Sequence, residues 1–151
     1  MTDSFRASQG RKVVSRATAE ALGELGHLVV DSARRQVTAV VVGKGKRHAL
    51  LVDWEHVSGF GPDAVMIESQ DALRAPRDDH EQAAVEGKLE LVGKRALSER
   101  GNETGSITDV EFDPESGDIG AVLVGEERIP ATDILGLGSY AAVLASPGDD
   151  R

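Results

Sequence analysis

The chain has 151 residues, 40% of them hydrophobic but only 3% aromatic, with a formal net charge of −9. A membrane helix needs ~20 consecutive apolar residues, whereas the longest runs here are of four or five, such as residues 39–42 and 141–145, and the absence of cysteine excludes disulfides and thiolate metal sites. Residues 1–75 carry a net +1 and residues 76–151 a net −10, a balance that argues against direct contact with nucleic-acid phosphates or an anionic membrane surface.

In chain order, short clusters rich in β-branched residues alternate with turn residues, the signature of strands. Residues 13–14, 28–30, 37–42, 49–52 and 64–67 are expected as five strands. Residues 18–22 favour helix and stop at Gly23, so they read as a helical turn or loop. Residues 31–36 (Asp-Ser-Ala-Arg-Arg-Gln) join the second and third strands. The stretch Gly43-Lys44-Gly45-Lys46-Arg47-His48 satisfies the phosphate-loop pattern at no register and is expected as a hairpin tip. Asp53, His56 and Ser58 are the residue types of a hydrolase triad, but on a strand Asp53 would face away from the other two. Gly59-Phe60-Gly61-Pro62-Asp63-Ala64 fits the dinucleotide fingerprint, yet a strand pattern follows it where a helix is required. Residues 69–91 read as a linker, flexible or holding one short helix capped by Asp78 or Asp79 and stopped at Gly87.

From residue 93 the first half returns. Gly10-Arg11-Lys12-Val13-Val14-Ser15 reappears as Gly93-Lys94-Arg95-Ala96-Leu97-Ser98. Gly23, Asp31, Ala39, Val40, Val42 and Gly43 recur at a constant offset of 82 as Gly105, Asp113, Ala121, Val122, Val124 and Gly125. Val57-Ser58-Gly59-Phe60-Gly61 returns as Ile134-Leu135-Gly136-Leu137-Gly138. The second set of strands is therefore expected at residues 96–97, 107–112, 119–124, 128–129 and 141–144. Asp113, Glu115 and Asp118 lack the Gly and Glu spacing of a calcium loop and read as a hairpin turn. His27, His48, His56 and His80 show no metal-ligand spacing. The tail 146–151 is expected to be disordered.

The Gly-Lys/Arg pair, the glycine followed by an alternating strand that ends in Asp, the Ala-Val-hydrophobic-Val strand and the closing Gly-x-Gly together resemble the PRC-barrel domain. The resemblance covers roughly 110 residues in both halves. That family includes the cytoplasmic portion of the photosynthetic reaction-centre H subunit and the C-terminal domain of the ribosome-maturation factor M family. It implies an all-β chain of two tandem small antiparallel β-barrels: a first unit at 1–68, a linker at 69–91 and a second unit at 92–145. A pseudo-twofold arrangement follows from two similar copies.

A unit of under 60 residues rarely supplies more than about 3–5 kcal/mol from its own core, so each copy is expected to lean on the other or on a second chain. A fragment 1–75 alone is expected to fold poorly. No catalytic, cofactor-binding or metal residues stand out. The expected function is a non-catalytic cytoplasmic adaptor that binds protein, with homodimerisation as one outcome. The alternative is an accessory factor in RNA or ribosome metabolism acting through a ribosomal protein. The candidate interaction surface is Lys44, Lys46, Arg47 and His48 with Trp54, whose counterpart is Ala131, so Trp54 stands outside the shared core.

Overall fold

The computed structural model describes residues 2–44, 47–138 and 140–145. After a short arm, β1 (Asp3–Ser4) and α1 (Phe5–Ser8), the first unit comprises β2 (Lys12–Ser15), β3 (Ala21–Asp31), β4 (Gln36–Lys44), β5 (Arg47–Asp53), β6 (Val57–Phe60) and β7 (Ala64–Ile67). Then comes α2 (Asp79–Val85). The second unit holds β8 (Arg95–Ser98), β9 (Glu103–Phe112), β10 (Ile119–Val124), β11 (Glu127–Pro130), β12 (Ile134–Leu137) and β13 (Ala141–Leu144). The chain is all-β with two barrel-like units. Among the described residues no helix is long and apolar enough to cross a membrane.

The first sheet runs β5-β4-β3-β2-β7-β6 and the second β11-β10-β9-β8-β13-β12, the same order in both. Each contains one parallel pair, Lys12↔Ala64 to Ser15↔Ile67 in the first and Arg95↔Ala141 to Ser98↔Leu144 in the second. The paired path is open, ending at β5 and β6 in one unit and at β11 and β12 in the other, with 3-10 turns at Trp54–His56 and Ala131–Asp133 rounding those corners.

The recurring motifs acquire physical reasons. Arg11 Nη1 donates to Gly61 O at 3.0 Å, and Lys94 Nζ donates to Gly138 O at 2.6 Å. The cation after Gly10 or Gly93 thus pins the Gly-x-Gly turn that returns the chain to β7 or β13. Both turns are hairpins, closed by Gly61 N–H to Ala64 O at 3.0 Å and Gly138 N–H to Ala141 O at 3.1 Å. Gly23 sits at φ 155 where a Cβ would lie 2.4 Å from Gly43 O, so only glycine lets β3 cross β4 there.

Residues 18–22 are not helical. The chain turns at Ala19 (φ 60), and β3 starts at Ala21, earlier than the apolar cluster at 28–30 indicates. Likewise β9 starts at Glu103 rather than at Ile107. In β3 the extra length scatters Leu22 and Leu25 among glycines and polar residues, and in β9 it has no apolar residue before Ile107, so neither forms an apolar cluster.

The interiors are aliphatic and correspond position by position. Val13, Leu25, Val40, Val42, Val52, Val65 and Ile67 fill the first unit; Ala96, Ile107, Val122, Val124, Ile129, Ala142 and Leu144 fill the second. At about 1.5–3 kcal/mol for each fully buried large aliphatic side chain, these clusters are the main source of stability.

Residues 69–91 are structured. The chain returns along the free edge of β5, where Leu51 and Arg74 exchange backbone hydrogen bonds of 2.7 and 2.8 Å. It then forms α2, with Asp78 accepting from Glu81 N–H at 2.8 Å as its cap. Ala84 and Val85 of α2 pack on Val29, Ala39, Val41 and Leu51, the outer face of the first sheet.

Candidate functional site

The two units meet across a seam built on the turns that precede β4 and β10. Asp31 and Asp113 organise these turns alike: Arg35 N–H bonds Asp31 O at 2.7 Å, and Gly117 N–H bonds Asp113 O at 2.8 Å. Val37 N–H then donates to Gly117 O at 2.8 Å, and Ile119 N–H donates to Arg35 O at 2.9 Å. The offset of 82 turns each bond into the other, and the Gln36↔Asp118 bridge between them joins residues 82 apart. The seam therefore carries a local twofold relation, with Gln36 and Asp118 facing each other across it.

The segments leading into each unit cross to the opposite one. Asp3 and Ser4 pair with Phe112 and Glu111 of β9, and Arg6 N–H donates to Asp109 Oδ1 at 3.0 Å. On the other side, Glu90 meets His27 of β3, the position that corresponds to Asp109. Arg11 holds Asp3 with two hydrogen bonds of 2.6 and 2.9 Å. Residues 3–8 precede the first unit in sequence but pack largely on the second.

Every phenylalanine and the single tryptophan gather at this seam. Phe112 lies 5.5 Å from Phe5, 5.3 Å from Phe60 and 6.3 Å from Trp54, in edge-to-face arrangements that suit aromatic quadrupoles. Trp54 Nε1 donates to Glu115 O at 3.4 Å. The interiors need no aromatics, which is how a chain 3% aromatic in composition fills two cores and still has rings for the contact between them.

The candidate interaction residues separate accordingly. Lys44 and Arg47 pair across the β4–β5 hairpin, while Lys46 and the side chains of Lys44, Arg47 and His48 lie outside the described residues. Trp54 follows the opposite end of β5, about 20 Å away at ~3.3 Å per residue. It is half-buried against Phe60 and Phe112, within the molecule.

Asp53, Glu55 and His56 bring ligand-type atoms within 4.8 Å of one another, the set that could hold a cation among the described residues. Both Asp53 oxygens already accept from Arg74, at 2.8 and 3.3 Å, and His56 Nδ1 is 3.1 Å from Glu68 Oε1. Ser58 Oγ donates to Met66 O at 3.3 Å, so no Asp-His-Ser relay is assembled. Arg74 is the hub: it also donates to both Glu81 oxygens at 2.7 and 2.8 Å, clamping α2 to the end of β5. Those bonds hold the Glu81 carboxyl at about 2 and lower Asp53 as well. Arg74 is correspondingly raised by Glu81 and then by Asp53.

A different surface stands out on the second unit. Tyr140 is 68% exposed and Leu135 49%, the largest such values among the big apolar side chains. Leu135 lies on β12, the end strand of its sheet, and Tyr140 begins the return to β13 with Arg95 over its ring at 4.7 Å. Their counterparts in the first unit are Ser58 and Asp63. The signal was present in sequence as the sole tyrosine standing where the other half has an aspartate.

The PRC-barrel domain model matches residues 89–136, a span that begins just before β8 and ends within β12. No curated protein matches the chain.

Proposed function

We propose that the chain is a non-catalytic protein-binding module made of two PRC-barrels, the first as well as the second, since the PRC-barrel domain model matches residues 89–136 and the two halves share one strand order. What supports the reading is where apolar surface is left in water. The interiors are closed by aliphatic side chains, the phenylalanines and the tryptophan are taken up at the seam, and Leu135 and Tyr140 of the second unit remain exposed. Exposed aromatic and aliphatic anchors beside an unpaired strand suit a partner that adds a strand or lays an apolar side chain against them. Lys44, Lys46, Arg47 and His48, grouped in sequence between β4 and β5, are a second, basic candidate for contact.

The module acts as a cytoplasmic adaptor in this reading. The partner recognises Leu135 on β12 and Tyr140, the latter with Arg95 over its ring. The test is affinity purification of the full chain from its native cell, compared with Leu135→Asp/Tyr140→Ser and with Lys44→Glu/Lys46→Glu/Arg47→Glu. A partner retained by the parent chain and lost with the first double variant is expected. Equal recovery by all three chains would remove the β12 edge and the hairpin as binding surfaces.

A further inference from the structure

Beside the aromatic cluster the seam contains a cavity of ≈ 200 Å³, placed where both leading segments pass over β3. It exists because β3 bulges between Leu25 and His27, with Gly26 as the extra residue. A bulge bends its strand locally, and glycine adds no side chain to refill the space. Gln9 Nε2 donates to Gly26 O at 3.3 Å and holds the end of α1 against that bend. Phe5, Leu25, Leu28 and Leu91 supply apolar wall from three separate segments of chain.

Size and charge narrow what fits. An apolar cavity of ~150 Å³ is enough to hold benzene, so this one accommodates a single ring or a short branched alkyl group. Two charged groups of opposite sign border it besides His27. Glu90 is answered by the His27 imidazole, whereas the Arg6 guanidinium meets no acceptor among the described residues; only its backbone N–H is engaged, with Asp109. The polar side of the cavity thus offers an unanswered cation and an answered anion.

We propose that this cavity binds a small apolar carboxylate, its hydrocarbon part against Leu25, Leu28 and Leu91 and its carboxylate paired with Arg6. A guanidinium matches a carboxylate through two parallel hydrogen bonds. The site joins the arm of one unit, the leading segment of the other and β3, so occupancy holds the units together and stabilises the whole chain by mass action. This site is independent of the protein-binding edge at Leu135 and Tyr140.

Three probes with one ring and different charge test it: benzoate, benzyl alcohol and benzylamine, titrated into the full chain at physiological salt. Binding is followed by the amide resonances of Gly26, His27 and Val92. Benzoate is expected to bind at least tenfold more tightly than benzyl alcohol, with benzylamine weakest. Arg6→Gln, at an exposed position of α1, is expected to bring benzoate down to the level of benzyl alcohol and leave benzyl alcohol unchanged. Leu28→Trp, which fills the cavity, is expected to abolish all three. Absence of shifts at those amides with every probe, benzylamine binding as tightly as benzoate, or benzoate binding unaffected by Arg6→Gln would each overturn the proposal.

Discussion

On the outer face of β3, β4 and β5 the first unit presents Val29, Ala39, Val41 and Leu51, and α2 covers them. The corresponding positions of β9, β10 and β11 hold Glu111, Ala121, Leu123 and Arg128, and no helix follows β13 among the described residues. Interior residues match closely between the units while the outer faces do not. Strand order, register and bulges are thus set by the inside of each sheet. Whether a sheet acquires a second layer is set separately, by apolar residues on its other side. In the first unit the run 39–42 is apolar and buried without alternation, the pattern of a strand buried on both faces. In the second, Glu111 and Arg128 form an ion pair of 2.8 Å over the same ground.

The severest way to break the comparison is to remove the cover. A fragment ending at residue 75 retains β2 to β7 but lacks α2 and the second unit. It exposes Leu51, Val41 and Val29 and leaves β1 and Phe5 without β9. Such a fragment is expected to show no cooperative thermal transition. A sharp melt would mean that the first interior suffices alone. Within the intact chain, Leu51→Ala removes a fully buried side chain beneath α2 and is expected to cost about 2–5 kcal/mol in urea unfolding.

Next comes the seam, where the units differ at one turn position. Gly117 has φ 82, and a Cβ there would stand 2.9 Å from Val37 O and 3.2 Å from Trp54 Nε1. Arg35, its counterpart, takes φ 55 with a side chain that reaches Ile134 O in the opposite unit. Gly117→Ala is expected to destabilise by about 2 kcal/mol, from left-handed strain and the displaced Trp54. Arg35→Gly relieves strain and loses a hydrogen bond, so its net effect is expected within about 1 kcal/mol. A larger loss for Arg35→Gly than for Gly117→Ala would reverse the assignment of the crowded side.

The α2 clamp predicts a pH effect confined to the first unit. Glu81 is held at about 2, against an ordinary 4.5, by its hydrogen bonds from Arg74. A carboxyl lowered by folding contributes fully above its unfolded value, and that contribution fades as pH falls towards the folded one. Stability should therefore decline between pH 4.5 and 2. Glu81→Gln is expected to cost about 1–2 kcal/mol at neutral pH and to flatten that acid limb. An unchanged acid limb in the variant would show that other carboxylates carry it.

Much of the architecture was legible in the sequence because the recurrence at offset 82 marks positions with steric roles. Gly23 and the Gly-x-Gly turns cannot vary freely, and Val40 and Val122 sit at matching interior sites. The helix at 79–85 was legible only as one of two alternatives, the other a flexible linker, and Asp78 rather than Asp79 caps it. What covers what was not legible. The pairing of Asp3 with Phe112 and of His27 with Glu90 joins residues far apart in the chain, and no local pattern announces such contacts. Trp54 could be set outside the shared core from its Ala131 counterpart, yet nothing local indicated that its partners are Phe60 and Phe112. Tyr140 stood out in sequence against its Asp63 counterpart, but the exposure of Leu135 is a property of the folded sheet.

The smallest effect tests the bare face directly. Arg128 Nε reaches Glu111 Oε1 at 2.8 Å, but the arginine side chain is 56% exposed, so solvent screens the pair and holding a long side chain in one geometry costs entropy. Arg128→Ala is expected to change stability by less than about 0.5 kcal/mol, against the several for Leu51→Ala at the corresponding place. If the face serves only to keep the second sheet soluble, Arg128→Leu, alongside the half-buried Leu123, should leave unfolding nearly unchanged and promote self-association at high concentration, since it recreates the apolar ground that α2 covers in the first unit. A monomeric Arg128→Leu chain in sedimentation would show that one leucine there is too little to recruit a cover, and that the covered face of the first unit depends on Val29, Val41 and Leu51 acting together.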